Sequence, residues 1–441
     1  MERKGVKSMR TKEEILSLVE EEDVEFIRLQ FTDMFGRLKN VAITAGQLER
    51  VLDKNYEFDA SNMFGMLQED EEYMYLRPDL DTFVILPWRP QQGKVARMLC
   101  DICKEDGSLF VKSPRSVLKN VLDKAQAKGY SFYIDPECEF FLFHTDENGI
   151  PTTVTHEQAG FMDVGPIDMG ENPRRDMVLA LEDMGFEIES SHHETAPGQQ
   201  EIDFQEGKPL QIADSVVTFK SAVRSIAKRF GLHATFMPKP KEGVAGSGMH
   251  INISVYKDDR SIFNEKDAKG VRDEARWFIG GIMKHAKGIC AISNPLVNSY
   301  KRLLSGFDAP KDIVWAKQKI NALVKVRSRK FEDTKVELRF PDPSANPYLL
   351  FALCIEAGIL GIEEKIEPGD MAPLCYENGS KIDKLPATLS EAVAYMEKDS
   401  LISKVLGEEF TKDYATAKKE EWKEYMIQVS DWEINKYMNC M

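Results

Sequence analysis

Six side chains that can bind metal ions are spread over four short stretches of this chain, and five of the six are carboxylates. In chain order they are Glu137, Glu139, Glu194, Glu201, His250 and Glu337. Five carboxylates brought together would repel one another strongly unless cations lay between them. Oxygen-rich sites with one imidazole suit Mg²⁺ or Mn²⁺ better than a structural zinc ion. The residue types therefore predict a divalent-metal site, and such sites are typical of phosphoryl transfer.

Two of the carboxylates have a spacing that brings them together within one strand. Glu137 and Glu139 alternate in the run ECEFFLF, and residues two apart in an extended strand point to the same face. The apolar residues that follow indicate a buried strand, in which an unpaired charge is costly. We therefore interpret both as metal ligands and not as solvated surface groups. The adjacent His192 and His193 are interpreted as structural support.

The elements that position these residues fall into two regions. The runs VEFIRLQFTD and LKNVAI alternate apolar and polar residues and are separated by the turn DMFGR, so they predict a hairpin. From Pro114 onwards, helical patterns alternate with strand patterns. The first of these helices, PRSVLKNVLDKAQAKGY, has Pro at its start and Gly at its end, both favoured places. We predict a small, mainly β domain at residues 1–113 and a larger domain at 114–441.

Composition narrows the class of protein. A chain of 441 residues is long enough for two domains, and its net charge of −15 argues against nucleic-acid binding. It has no apolar run near the roughly 20 residues that a membrane helix needs, and its first residues do not resemble a signal peptide. Seven scattered cysteines favour a reducing cytoplasm, and the CxxC at Cys100 and Cys103 is interpreted as coincidence.

Six motifs, in order along most of the chain, resemble the bacterial type I glutamine synthetase family in its shorter, non-adenylylated form. They are FDA near residue 59, PECEFFLF, SHHETAPGQQEIDF, MPKP…GSGMHINIS, NPLVNSYKRLLSGFDAP and VELRFPDPSANPYL. Each motif is modest alone, but their shared order is specific. The resemblance implies an α+β fold with a small N-terminal β-grasp domain. It also implies a large C-terminal catalytic domain with a curved antiparallel sheet flanked by helices.

The family's reaction uses ATP to phosphorylate the γ-carboxylate of glutamate, after which ammonia displaces phosphate. The resemblance implies Mg²⁺ or Mn²⁺ as cofactor, two or more ions per subunit, with ATP as co-substrate. It assigns Glu139, Glu194 and Glu201 to the ion nearer glutamate. It assigns Glu137, His250 and Glu337 to the ion on the nucleotide phosphates.

Further roles are carried over position by position. Arg302 matches the arginine that binds the substrate α-carboxylate, Arg339 matches another active-site arginine, and Gly246 matches a close backbone approach to glutamate. Asn252 and Ser254 match residues near the nucleotide. Lys325 and Lys335 stand where phosphate- and nucleotide-contacting arginines are usual.

Two acidic residues complete the implied site. Asp59 matches the aspartate that binds ammonium and favours its deprotonation, and in the family it comes from a neighbouring subunit. Asp308 takes the place of a flap glutamate that closes over the intermediate. The expected assembly is a homo-oligomer, a dodecamer of two hexameric rings. The insertion that carries an adenylylated tyrosine is missing, so control of that kind is not expected, and feedback inhibition is doubtful.

The chain departs from the family inside the site. Ile320 replaces an arginine that contacts phosphate and glutamate, and Ala245 replaces a substrate-binding asparagine. Arg327 and Arg329 lie close by in sequence and offer guanidinium groups in compensation. Three functions therefore stay open at this point: glutamine synthesis, γ-glutamyl ligation of a larger amine such as a polyamine or ethanolamine, and a weakly active or inactive paralogue with a regulatory or assembly role.

Overall fold

The structure, a computed structural model, describes residues 10–61, 63–65, 73–263, 271–317, 321–327, 334–372 and 382–440. Its helices are α1 (Lys12–Glu21), α2 (Leu48–Lys54), α3 (Pro114–Ala127), α4 (Glu171–Asp183), α5 (Pro209–Arg229), α6 (Asp273–Ser293), α7 (Val297–Leu304), α8 (Pro347–Glu364), α9 (Leu389–Met396), α10 (Ser400–Leu406), α11 (Glu408–Met426) and α12 (Asp431–Tyr437). Its strands are β1 (Val24–Thr32), β2 (Leu38–Thr44), β3 (Tyr56–Asp59), β4 (Tyr73–Pro78), β5 (Val84–Ile85), β6 (Lys94–Cys103), β7 (Tyr130–His144), β8 (Ile188–His193), β9 (Gln199–Phe204), β10 (Leu232–Thr235), β11 (Met249–Lys257), β12 (Arg260–Ser261), β13 (Asp312–Ala316), β14 (Ala322–Arg327) and β15 (Lys335–Leu338).

The first sheet has the order β2-β1-β6-β4-β3, with β5 paired to β6. Strands β1 and β2 are antiparallel, so the predicted hairpin is confirmed. Ile27 and Leu29 of β1 and Met98 of β6 are buried in a core that this region forms by itself. The run FVILPW, in contrast, forms only the two-residue strand β5, because a prolyl-containing turn follows at once. This is the β-grasp region that the resemblance implied.

The second sheet has nine strands in the order β13-β14-β15-β11-β7-β9-β8, with β10 on β7 and β12 on β11. All of its pairings are antiparallel except β13 with β14. The long strand β7 lies near its centre, which agrees with the burial expected of ECEFFLF. The sheet curls and is flanked by helices, so the predicted α+β fold is confirmed.

The apolar helices α6 and α8 pack tightly at the centre of the larger core. A Cβ placed on Gly281 would lie 2.0 Å from the carbonyl oxygen of Ala357, and one on Gly361 would lie 2.2 Å from that of Trp277. Neither helix therefore tolerates a side chain at these crossings, which explains glycine inside two otherwise regular helices.

A buried ionic cluster joins the two regions. Arg115, in the first turn of α3, donates to Asp101 of β6 at 2.6 Å and to both carboxylate oxygens of Asp214 on α5 at 3.0 and 2.9 Å. Tyr348 of α8 also donates to Asp214, at 2.6 Å. Asp101 belongs to the first region and Arg115 and Asp214 to the second, so the cluster connects the two regions. Removing one partner would leave an uncompensated buried charge. No helix in the described ranges is both long and apolar enough to cross a bilayer.

Candidate active site

Strand register brings the four sequence stretches together. In the central pairs, His250 of β11 lies opposite Glu137 of β7, and Glu139 lies opposite Glu201 of β9. On the other side of β11, Asn252 lies opposite Glu337 of β15. Because β15, β11, β7 and β9 are consecutive neighbours, residues far apart in sequence reach one face of the sheet.

The first cluster consists of Glu137, His250 and Glu337, each of which offers a ligand atom within 4.8 Å of the other two. The Nδ1 atom of His250 lies 3.2 Å from Glu137 Oε2 and 3.9 Å from Glu337 Oε1. Glu337 is only 2% exposed. Three of the predicted ligands thus converge at one place.

The second cluster consists of His192, Glu194 and Glu201, whose ligand atoms also lie within 4.8 Å of one another. His192 Nε2 lies 3.1 Å from Glu194 Oε1 and 3.6 Å from Glu201 Oε2. We predicted only a supporting role for His192. Its ring reaches the carboxylates because His192 lies opposite Glu201 in the β8–β9 pair, a register that the sequence did not reveal.

Glu139 lies on β7, two residues after Glu137 and opposite Glu201 of β9. Its carboxylate accepts a hydrogen bond from the main-chain N–H of Gly248 at 2.9 Å and another from Gln199 Nε2 at 2.7 Å. It faces the same cavity as Glu194 and Glu201 but lies outside the triad that they form with His192.

Glu139 and the acidic groups of the second cluster repel one another. Burial, followed by the charge of Glu194, raises the pKa of Glu139 to about 8. Burial also raises the pKa of Glu201 well above its usual value, with further contributions from the charges of Asp203 and Glu139. A bound cation would stabilise the charged form of these carboxylates and so lower their raised pKa values.

The first cluster behaves differently because it contains cationic neighbours. Burial acts to raise the pKa of Glu137, but the hydrogen bond with His250 and the charge of Arg327 outweigh it and hold that pKa well below its usual value. Glu337 follows the same pattern: burial opposes ionisation, while the charges of His250 and Arg339 lower its pKa.

These opposite shifts make stability depend on pH. A carboxyl group whose pKa is higher in the folded chain than in the unfolded chain stabilises the fold at low pH. This stabilisation is fully present below the pKa of the unfolded chain, about 4.3. It is lost as pH rises through the pKa of the folded chain, which is about 8 for Glu139. We expect the unfolding temperature in a chelating buffer to fall as pH rises between these values. In calorimetric scans, the unfolding temperature of the wild-type chain should fall less with pH when Mn²⁺ is present. The unfolding temperature of Glu139→Gln should also fall less than that of the wild-type chain. An unchanged slope in that variant would refute the assignment.

The donor set fits a divalent cation. Asp203 Oδ1 is buried and accepts no hydrogen bond from any residue that the structure describes. Glu337 Oε2 is also buried without a hydrogen-bond partner among these residues, although Lys325 Nζ at 3.4 Å and Arg327 Nε at 3.7 Å form ion pairs with it. Buried polar atoms without partners are rare in folded proteins, and they often indicate an unseen ion or ligand. Five carboxylates and an imidazole, arranged around such atoms, form an oxygen-rich set of the kind that Mg²⁺ and Mn²⁺ prefer.

A cavity of about 580 Å³ opens over the clusters. The predicted residues that line it are Glu137, Glu139, Glu194, Glu201, Gly246, His250, Asn252, Arg302, Asp308, Lys335 and Arg339. Four predicted residues do not line it. Glu337 is buried beside Arg339, Lys325 lies 3.4 Å from Glu337, Ser254 donates to Glu206 at 3.2 Å, and Asp59 is exposed on β3.

Arg302 is held rigidly at the edge of this cavity. Its guanidinium donates to the main-chain oxygens of Arg339 at 3.1 Å, Phe340 at 3.0 Å and Pro341 at 3.2 Å. Gly246 lies against it, and a Cβ at this glycine would lie 2.3 Å from the carbonyl oxygen of Pro238. The fold itself therefore requires glycine at 246. Nothing in the sequence predicted that Arg302 would donate hydrogen bonds to main-chain carbonyl oxygens.

Cationic residues at or near the positions of family arginines contact carboxylates. Lys335 Nζ lies 2.9 Å from Asp135 Oδ2 and 3.0 Å from Glu206 Oε2. Arg327 Nη1 donates to Glu137 and, at 3.1 Å, to Asn252 Oδ1, so this arginine enters the first cluster. Ile320 and Arg329, which the sequence singled out, lie outside the described residues.

Two buried side chains, His193 and Glu157, support the second cluster. His193, which is fully buried, has Nε2 2.9 Å from Glu157 Oε1 and Nδ1 2.6 Å from the carbonyl oxygen of Glu194. Glu157 also accepts hydrogen bonds from the main chain at Ala159 and Gly198. The segment containing Glu157 is thereby tied to Glu194. The expected support by His193 is seen, but nothing in the sequence pointed to Glu157.

Comparison with known proteins finds similar proteins along almost the whole chain. Residues 23–105 match the model of the glutamine synthetase beta-Grasp domain, and residues 111–437 match that of the glutamine synthetase catalytic domain. Glutamine synthetase of Clostridium saccharobutylicum is 51% identical over 439 residues, covering 97% of this chain and 99% of that protein. The Staphylococcus aureus (strain N315) protein of the same name is 46% identical over 437 residues, covering 97% and 98%.

Solved structures with the same fold include one described as a GmaS/ADP complex. It superposes with a TM-score of 0.87 at 29% identity and covers 96% of this chain and 99% of that one. A second, described as apo GmaS without ligand, has a TM-score of 0.86 at 29% identity and covers 97% and 99%.

Proposed function

The chain belongs to the glutamine synthetase family, and on this premise we propose how its own residues carry out the family reaction. It is a glutamate–ammonia ligase that forms glutamine from glutamate, ammonia and ATP. A carboxylate oxygen is a poor leaving group, so the γ-carboxylate must first take the terminal phosphoryl group of ATP, with release of ADP. Ammonia then attacks the acyl carbon, and phosphate leaves.

The first step gathers negative charge from ATP and glutamate, and the site must offset it. Divalent cations, Mg²⁺ or Mn²⁺ and two or more per subunit, supply that positive charge when bound. Glu137, His250 and Glu337 would hold the ion on the nucleotide side. Glu139, Glu194 and Glu201 would hold the ion near glutamate, with His192 close enough to join them. The observation that carries this proposal is the convergence of two ligand clusters on one cavity.

We assign the glutamate-binding wall to Arg302, Arg339 and Gly246. The guanidinium fork matches carboxylate geometry, and the three carbonyl bonds of Arg302 fix its orientation before substrate arrives. Asp308 is exposed at the cavity mouth, as a residue that closes over the intermediate should be. Asn252 donates to Glu137 at 3.0 Å, and we assign it to the nucleotide side of the site together with Ser254, Lys325 and Lys335.

The ammonium-binding residue is proposed to come from another subunit. Asp59 is exposed on β3 and lies apart from the cavity of its own chain, as expected for a residue that completes a neighbour's site. Hydrogen bonds from Ser61 lower the pKa of Asp59, which keeps it an anion able to bind ammonium and favour its deprotonation. The assembly that fits is a homo-oligomer, in the family's form a dodecamer of two hexameric rings.

We further propose a cytoplasmic location and a division of the chain at residues 1–113 and 114–441. The six described cysteines are unpaired, as a reducing compartment favours. The proposed boundary falls between the end of β6 at Cys103 and the start of α3 at Pro114.

Release of ADP, measured with glutamate and each of several amines, tests the function. We expect rapid release with ammonium and much slower release with polyamines or ethanolamine. Faster release with a larger amine would contradict ammonia as the acceptor. If no amine promoted release although metal bound, the chain would be an inactive relative and the proposal would be wrong.

A further inference from the structure

We propose that Arg327 binds the terminal phosphate groups of the nucleotide and supplies the guanidinium that this chain lacks at positions 320, 325 and 335. The inference rests on the proposed function and adds to it a residue to which the family motifs assign no role. Arg327 ends the stretch KINALVKVR, residues 319–327, which also contains Ile320 and Lys325.

The substituted positions cannot supply that group themselves. Ile320 has no charge, and a lysine offers a point charge in place of a planar fork. Both lysines also have carboxylate partners: Lys325 lies 3.4 Å from Glu337, and Lys335 bridges Asp135 and Glu206. Neither lysine can therefore bind phosphate in the bidentate way of an arginine.

Arg327 is placed to do so. It is the last residue of β14 and lies two residues after Lys325, so both side chains leave the same face of the strand. Its side chain is 23% exposed and lines the cavity beside Asn252 and His250. Glu137 and Glu337, the carboxylates assigned to the nucleotide-side ion, are its nearest acidic neighbours.

Among the residues that the structure describes, the Arg327 guanidinium donates hydrogen bonds through only part of its donor set. Its hydrogen bonds to Glu137 and Asn252 both leave from Nη1, and its Nε lies 3.7 Å from Glu337 Oε2. A guanidinium has five N–H groups in a fixed fork, so Nη2 can donate to phosphate while Nη1 keeps its contacts. The carboxylates thus orient Arg327 in the way that buried partners orient a binding arginine.

Calorimetric titration of ATP, ADP and AMP in Mg²⁺ buffer tests the proposal on Arg327→Gln and Arg327→Lys. We expect Arg327→Gln to weaken ATP and ADP binding by about tenfold or more, since a charge-assisted hydrogen bond is lost. AMP, which lacks the terminal phosphates, should bind within twofold of its wild-type affinity. Arg327→Lys should fall between. Arg175→Gln, an exposed change on α4, is the matched control and should alter none of these affinities.

A second titration, with Mn²⁺ alone, separates phosphate binding from simple ion pairing. If Arg327 only neutralised Glu137 and Glu337, its loss would tighten Mn²⁺ binding and leave ATP affinity unchanged, and that result would overturn the proposal. Equal weakening of ATP and AMP would overturn it too. If the wild-type chain has ligase activity and Arg327→Gln binds ATP as tightly as the wild type, this inference alone is refuted. If the wild-type chain binds no ATP, the proposed function is refuted as well.

Discussion

Replacing Glu201 by Gln is expected to lower the rate of glutamine formation by about two to three decades while making the metal-free protein more stable. The activity falls because a neutral amide is a poor ligand for the ion near glutamate. The stability rises because burial, followed by the charges of Asp203 and Glu139, raises the pKa of Glu201 and so opposes its ionisation in the folded chain. An amide of the same shape does not ionise and avoids this cost.

Steady-state assays and thermal scans in chelating buffer measure the two effects together. We expect the unfolding temperature to rise by roughly 1 to 3 °C. Glu182→Gln, the same change at an exposed position of α4, should alter neither quantity. A variant that keeps its activity, or one that loses stability without metal, would show that Glu201 is a structural residue and not a strained ligand.

Mixing two inactive variants should restore activity if Asp59 completes the site of a neighbouring subunit. Asp59→Asn keeps the metal clusters and Glu201→Gln keeps the ammonium-binding aspartate. In randomly co-assembled oligomers, about a quarter of the sites would combine an intact cluster with an intact Asp59 from the next chain. The activity of the co-expressed mixture should therefore rise from near zero to about that fraction of the wild-type value.

The control is the doubly substituted chain, Asp59→Asn with Glu201→Gln, co-expressed with the Glu201→Gln variant. That mixture contains no intact second cluster, so it should stay inactive. If the productive mixture also stayed inactive although subunits had exchanged, Asp59 would act within its own chain or not at all.

Local pattern was enough to predict the elements that hold the site. The alternation of Glu137 and Glu139 ahead of four apolar residues predicted a buried strand with both carboxylates on one face, and β7 has that form. The hairpin of β1 and β2 followed from period-two alternation and a turn. The family motifs then indicated which residues from distant strands act together as metal ligands.

What the sequence did not predict depends on register and on long-range contacts. His192 joins the second cluster only because β8 pairs with β9 so as to place it opposite Glu201. Arg302 is fixed by carbonyl oxygens more than thirty residues away, and any residue type at those positions would offer the same oxygens. Glu157 reaches His193 from a segment without regular structure, where periodicity carries no information.

Titration of the wild-type chain with Mn²⁺, followed by calorimetry or electron paramagnetic resonance, tests the central claim most directly. The two clusters predict at least two ions bound per chain. Glu337→Gln should remove one of these ions and Glu201→Gln the other, because the two residues lie in different clusters. Binding of a single ion by the wild-type chain, or loss of the same ion in both variants, would contradict the account.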